Sequence, residues 1–317
     1  MFENIVFSLN VVIPWVLMAA IGFLFKRWGI VDENFLAKGN KVVFLLCLPM
    51  MLFGSVYNSD LSEIFDLSFL LFVLGWAVLS FVAIWGLCLL LIKDKSVISA
   101  YVQGAYRSNV GALAVPLAFS VLGEGALRSV LALAILIPTN NVLCVILLTL
   151  HSKKEGESMS PKNFLLAIAK KPSIISVVLG IAVSLSGLRL PVFVNSTISS
   201  LSQVTVPLVL FCLGASIVFR GFDSKFKYAL SSSVVKVIAM PVIATIVAYL
   251  IGFRGNDLAI LMLINGVPTA IAGHVMVVEI GGDATVAANN IMLTTILSAF
   301  TLAVFIFVFR MLGVIVA

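Results

Sequence analysis

RSNVGALAVP, residues 107–116, sets an arginine, an asparagine, a glycine and a proline inside the apolar segment 98–122, and INGVPTAIAG, residues 264–273, does much the same inside the apolar segment 257–280. Proline has no amide hydrogen and crowds the carbonyl four residues before it, so a helix opens locally there. Lipid accepts open backbone only where protein buries it or where it lines a cavity. Two broken helices at corresponding depths would bring half-helix ends around one cavity. An N-terminal end, with free N–H groups and positive potential, suits a carboxylate. The alternative reading is a pair of kinks at helix packing sites.

The surrounding chain is a membrane protein by composition. Of its 317 residues 62% are hydrophobic and 11% charged, whereas a soluble domain carries about 25% charged residues. A spanning helix needs about 20 apolar residues. On that measure ten spans are expected: 5–25, 39–57, 67–92, 98–122, 127–150, 172–188, 198–219, 227–252, 257–280 and 285–312. No cleavable signal peptide is expected, because acidic Glu3 stands where a basic stretch belongs. Cys47, Cys88, Cys144 and Cys212 sit singly in apolar runs and read as small buried hydrophobes.

Basic residues orient these spans. Lys26, Arg27, Lys38 and Lys41 follow the first, Lys93 and Lys95 the third, and Lys153, Lys154, Lys162, Lys170 and Lys171 the fifth. Arg220, Lys225 and Lys227 follow the seventh, so fourteen of the 20 Lys and Arg share one side. Opposite them lie Arg128, Arg189, Arg254 and Arg310 with the acidic Asp60, Glu63 and Asp66. The positive-inside rule makes the basic side cytoplasmic and both termini external. The net charge of +6 thus reports topology and gives no reason to expect nucleic acid as a partner.

An offset of 158 residues superposes Pro14 on Pro172, Gly22 on Gly180, Gly29 on Gly187, Pro49 on Pro207 and Gly123 on Gly281. Recurrent kinks of this kind mark a transporter built from two repeats. Residues 1–150 form the first repeat and 172–317 the second, joined by a cytoplasmic linker at 151–171. The second half of that linker has helical apolar spacing at Phe164, Leu165 and Ile168. Five spans per repeat is odd, so the second repeat enters the membrane inverted.

Arg107 lies twelve residues past Lys95, about 18 Å into the membrane. A cation there should face a cavity or a partner, and its planar fork suits a carboxylate. Pairing with Glu279 or a carbonyl is the structural alternative. Lys236 is a second cation inside a span, at a depth that partly allows snorkelling. His274 falls opposite Pro116 under the 158 shift and could couple transport to protons, although a lone helical histidine is more often simply packed. Pro138, Thr139, Asn140 and Asn141 correspond to the Thr294, Thr295 and Ser298 region, with Asn140 on Ser298; these side chains line the path or bond between helices. Trp15, Trp28, Trp76 and Trp85 are expected to include interface anchors. Asn289 and Asn290 lie nearer a surface and are weaker candidates. No nucleotide, metalloprotease or nucleophile-elbow motif is present, so neither an enzyme nor a cofactor is expected.

The Asn-x6-Pro element at Asn109–Pro116, together with VPTAIAGHVMVVEIGGDATVAANNIMLTTILS after the second break, resembles the auxin efflux carrier family along the whole chain. That family includes the plant PIN-formed carriers and bacterial malonate and malate carriers. The resemblance implies an all-α fold of two inverted five-helix repeats with broken crossover helices at spans 4 and 9, like that of the bile-acid sodium symporters. It also implies a scaffold from spans 1, 2, 6 and 7, a crossover domain from spans 3–5 and 8–10, elevator motion and a homodimer. By motif position the carboxylate site carries over to Asn109, Gly111 and Pro116, and less closely to Asn265, Gly266 and Pro268. The plant carriers place Pro just before the crossover Asn; this chain has Ser108, which argues against auxin itself. A secondary carrier of a small mono- or dicarboxylate in the cytoplasmic membrane follows, with a membrane-embedded sensor using the same cavity as the alternative.

Overall fold

The structure is a computed structural model and describes residues 2–58, 65–151, 170, 172–217, 225–280 and 282–315. Among these it is all helix, with no strand beyond one isolated bridge between Ser108 and Thr269. The helices are α1 (Phe2–Arg27), α2 (Glu33–Val42), α3 (Leu48–Tyr57), α4 (Leu67–Leu91), α5 (Lys95–Tyr106), α6 (Val115–Leu122) and α7 (Arg128–His151). The second half contributes α8 (Pro172–Ser186), α9 (Val192–Ala215), α10 (Phe226–Val234), α11 (Met240–Ile251), α12 (Gly255–Gly266), α13 (Ile271–Ile280) and α14 (Ala284–Met311). The expected linker helix near Phe164 lies outside the described residues.

Among the described residues seven continuous helices are long and apolar enough to cross a membrane. Of the other expected segments, 98–122 and 257–280 are broken in the middle and 172–188 holds the 15-residue α8, about 22 Å long. Several helices begin earlier than hydropathy suggests because polar residues cap them. Asp32, Asp94 and Asp283 each accept a backbone N–H from the first turn that follows, as Asp66 does at the expected start of α4. Likewise α9 begins at Val192 behind Pro191, six residues before the expected start, where Asn195, Ser196 and Thr197 dilute the apolar signal.

Three helices contain a π-helical turn two residues before a proline: Val43–Cys47 before Pro49, Val110–Ala114 before Pro116, and Val235–Ala239 before Pro241. The widened turn relieves the clash between the ring and the carbonyl behind it without breaking the helix. Pro116 therefore does not cause the break in its helix. That break lies further back, at Arg107–Asn109, where α5 has ended and the π turn has not begun.

The helices pack in two groups. In the first, α1 lies along α9, α8 along α3, and α9 also on α3. Backbones touch there: a Cβ on Gly22 would stand 2.0 Å from the Phe211 carbonyl oxygen, and one on Gly214 would stand 1.8 Å from that of Ala19. In the second group, whose α14 also lies along α1 of the first, α4 to α7 pack with α10 to α14. Its innermost members are the half-helices that lead into the breaks: Leu258 to Gly266 of α12 are buried throughout, as is nearly all of α5 from Val97.

Two ion triads tie the ends of this second group. Arg128, at the start of α7, reaches Asp66 before α4 (3.5 Å) and bonds Asp257 in the first turn of α12. At the other end of α4, Lys225 before α10 meets Asp283 before α14 (2.7 Å) and Asp94 before α5 (3.8 Å). No ion pair of the described residues joins one group to the other.

Candidate functional site

The two breaks lie against each other as a short antiparallel pair. Asn109 N–H donates to the Pro268 carbonyl (3.0 Å), and Ala270 N–H donates to the Arg107 carbonyl (3.3 Å). A helix that stops leaves carbonyls without partners, and inside a membrane protein each needs one. The Thr269 hydroxyl adds one more donor at the end of α5, within reach of the Arg107 carbonyl at 3.0 Å and of the Gln103 carbonyl, which also accepts the Arg107 amide, at 3.2 Å. The Thr269 amide in turn is taken by the Thr294 hydroxyl oxygen (3.2 Å). At the end of α12 the partner is a cation: Lys236 Nζ bonds the Asn265 main-chain oxygen and donates to Ser108 Oγ (2.9 Å).

Lys236 is 0% exposed. It occupies the π turn between α10 and α11, and the snorkelling route is not taken. Arg107, 6% exposed, donates to Asn141 Oδ1 at 2.9 Å, reaches Gln103 Oε1 at 3.5 Å and touches Met276 Sδ at 3.4 Å. No carboxylate pairs with either cation among the described residues. The side chain of Glu279 lies outside them.

Small cavities flank the crossing. One of about 30 Å³ is polar on its crossing side, lined there by Trp76, Ser80, Tyr106, Ser108, Asn140 and Asn265. Another, of about 60 Å³, separates Val267, Pro268, Thr295 and Ser298 from Trp15 of α1 and Leu213 of α9. Asn140 and Ser298, expected as repeat partners, thus line different cavities on the two sides of the crossing. His274 lines a third small space with Gln103, Gly104 and Thr269.

The remaining expected residues fall as follows. Asn109 is buried and caps the π turn without a side-chain bond to it. Gly111 lets Leu133 approach: a Cβ there would stand 3.2 Å from its Cδ1. Gly266 does the same for Leu302 at 2.9 Å. Asn265 Nδ2 donates back to the Leu261 carbonyl (2.8 Å), while its Oδ1 accepts from Trp76 Nε1 (2.9 Å). Trp76, one of the four tryptophans among which interface anchors were expected, is therefore a partner of the crossing.

Four further residues belong to the crossing: Gln103, Thr269, Trp76 and Asn290. Gln103 stands one helical turn before Arg107, a spacing that could have flagged it. Asn290 sits over Gly104, donates to the Ala100 carbonyl (3.1 Å) and accepts from Ser232 (2.6 Å). Only a buried amide in an apolar helix hinted at that role.

The family described as "Membrane transport protein" matches residues 7–306. An uncharacterized transporter of Methanocaldococcus jannaschii is 24% identical over 302 residues, covering 93% of this chain and 96% of its own. A Rhizobium meliloti protein named "Putative malonate transporter" is 25% identical over 314 residues, 95% of each chain. The Escherichia coli K12 uncharacterized transporter YfdV is 22% identical over 277 residues, 85% of this chain and 87% of its own. A multi-pass helical chain, matched nearly end to end, belongs to the membrane transport protein family, that of the auxin efflux carriers and their bacterial relatives.

Proposed function

We propose that this protein is a secondary carrier of a small dicarboxylate of the malonate kind, bound at the crossing of the two broken helices. The observation that carries the reading is a pair of buried cations, Arg107 and Lys236, held at that crossing by neutral oxygens and a thioether among the described residues. A buried charge without a counter-charge is costly, and an anion offsets that cost. Arg107 supplies the fork for one carboxylate, with Asn109, Gly111, Pro116, Asn140, Asn265, Gly266, Pro268 and Lys236 forming the surroundings and His274 a point of proton coupling. The Rhizobium relative's name supports the substrate class.

In this reading the chain spans the cytoplasmic membrane ten times as two inverted repeats, with both termini external. Several observations support the repeat. Gly29 and Gly187, 158 residues apart, share a left-handed backbone at φ 73 and 67. The pair α1 with α9 joins spans 1 and 7, and the pair α8 with α3 joins spans 6 and 2, as an exchange of repeats requires. The triads likewise exchange the starts of spans 3, 5 and 9 for those of spans 8, 10 and 4. Spans 1, 2, 6 and 7 then form a scaffold that pairs with a second copy, and spans 3–5 and 8–10 slide along it as an elevator.

Uptake of labelled malonate into proteoliposomes tests the proposal. Saturable flux accelerated by malonate trapped inside is expected. Malonate binding without flux assigns a sensor instead, and loss of both binding and flux overturns the anion site.

A further inference from the structure

The Arg107 guanidinium has its one short hydrogen bond on α7, from Nη2 to Asn141 Oδ1 at 2.9 Å, and both side chains are buried. A guanidinium only donates, so the Asn141 amide must turn its oxygen toward it. One residue earlier on each helix, the Tyr106 hydroxyl donates to the Asn140 main-chain oxygen (3.3 Å). Consecutive residues at the end of α5 are therefore bonded to consecutive residues of α7. That helix runs on through Pro138 without interruption. The fork of Arg107 thus stands where α7 puts it.

The bond is also neutral. Asn141 Oδ1, Gln103 Oε1 and Met276 Sδ carry no formal charge. Acceptors are scarce beside them: Gln103 Nε2 is buried with no hydrogen-bond partner among the described residues. Two neighbouring side chains, Gln103 and Arg107, thus offer donors that an anion's oxygens would meet. Asparagine and aspartate share one shape, so an acid at 141 would place a carboxylate on the fork. Held there by the chain, it would outcompete any dissolved anion.

We infer that Asn141 is a positioning and specificity-determining residue, which holds the Arg107 fork from α7 while its neutrality keeps the arginine's charge for the transported anion. The anion's part in this rests on the carrier reading; the holding of Arg107 does not.

The test uses the purified full chain, with malonate as the probe. Asn141→Asp is expected to raise the melting temperature by several degrees and to weaken malonate by about ten- to 150-fold, the loss of a hydrogen bond to a charged group. With Arg107→Gln in the same chain, the aspartate is expected to lower the melting temperature instead, because a buried acid has then lost its partner. Asn141→Ala frees the fork without adding charge. It is expected to raise the half-saturating malonate concentration in proteoliposomes about tenfold with maximal flux little changed, the pattern of lost uniform binding. A side chain that served packing alone would lower the amount of folded protein and leave that concentration where it was.

The inference is overturned if Asn141→Asp binds malonate as the native protein does, or melts no higher than the native protein. It is equally overturned if Asn141→Ala leaves the half-saturating concentration unchanged. A native protein that takes no malonate, alongside an aspartate that stabilises only when Arg107 is present, would sink the carrier reading and leave Asn141 as the holder of Arg107.

Discussion

The two broken helices solve one problem with different chemistry. Each stops inside the protein and leaves carbonyls without their usual partners. The carbonyls of α5 are met by a neutral hydroxyl and an amide, from Thr269 and Ala270. The end of α12 is met by an ammonium, that of Lys236. Charge is distributed the other way along the chain: the first break holds Arg107, whereas Val267, Pro268, Thr269 and Ala270 of the second hold none. On the carrier reading proposed above, the difference assigns the second break to tying the crossing together and the first to presenting a charge to the anion. The Arg107 guanidinium has one short hydrogen bond, to Asn141, beside a thioether contact and a bond at the limit of distance.

That asymmetry is breakable by mutation. The largest expected effect is on binding. Arg107→Gln should weaken malonate by about 1.5–3 kcal/mol, the range for a hydrogen bond to a charged group, or about ten- to 150-fold. Arg107→Lys should recover part of this, since a point charge replaces a fork. Calorimetric affinities across the three proteins check it, and an unchanged affinity in the glutamine variant would remove Arg107 from the site.

Thr269→Val should act on stability instead. It takes away one hydroxyl hydrogen bond, at a cost of about 1 kcal/mol, while the Gln103 and Arg107 carbonyls keep the amides of Arg107 and Ala270. The variant should melt lower yet bind malonate with nearly native affinity. Loss of affinity without loss of stability would reverse the roles assigned to the two breaks.

The smallest effect belongs to Asn109→Ala. Its side chain makes no capping bond to the π turn, so the melting temperature should hardly move. Affinity should fall by about 0.5–1.5 kcal/mol if the amide contributes one hydrogen bond to the carboxylate. Flux and melting temperature measured together distinguish that outcome from a general loss of fold.

Much of this architecture was legible in the chain because the signals are local. Apolar runs, capping aspartates and prolines act on their own few residues, so RSNVGALAVP and INGVPTAIAG read directly as interruptions in two apolar segments. Local reasoning erred at Pro116, where it expected the opening itself. A proline needs relief only for the carbonyl behind it, and the π turn Val110–Ala114 gives that without breaking the helix. The residues between α5 and that turn, Arg107 to Asn109, carry the break.

By itself the sequence determined where helices run, where two of them are interrupted and that cations lie inside them, since hydropathy and backbone chemistry depend on nearest neighbours. The tertiary structure alone decided who answers whom. Ser108 meets Thr269, Trp76 turns from an interface position to Asn265, Asn290 fills the hollow over Gly104, and Lys236 reaches the end of α12. The physical reason is that an orphaned carbonyl or a buried ammonium must find a partner somewhere in the protein, but nothing in its own segment specifies which. Partners 128 to 190 residues away in the chain, as for Lys236 with Ser108 and Asn290 with Ala100, are set only when the helices have packed.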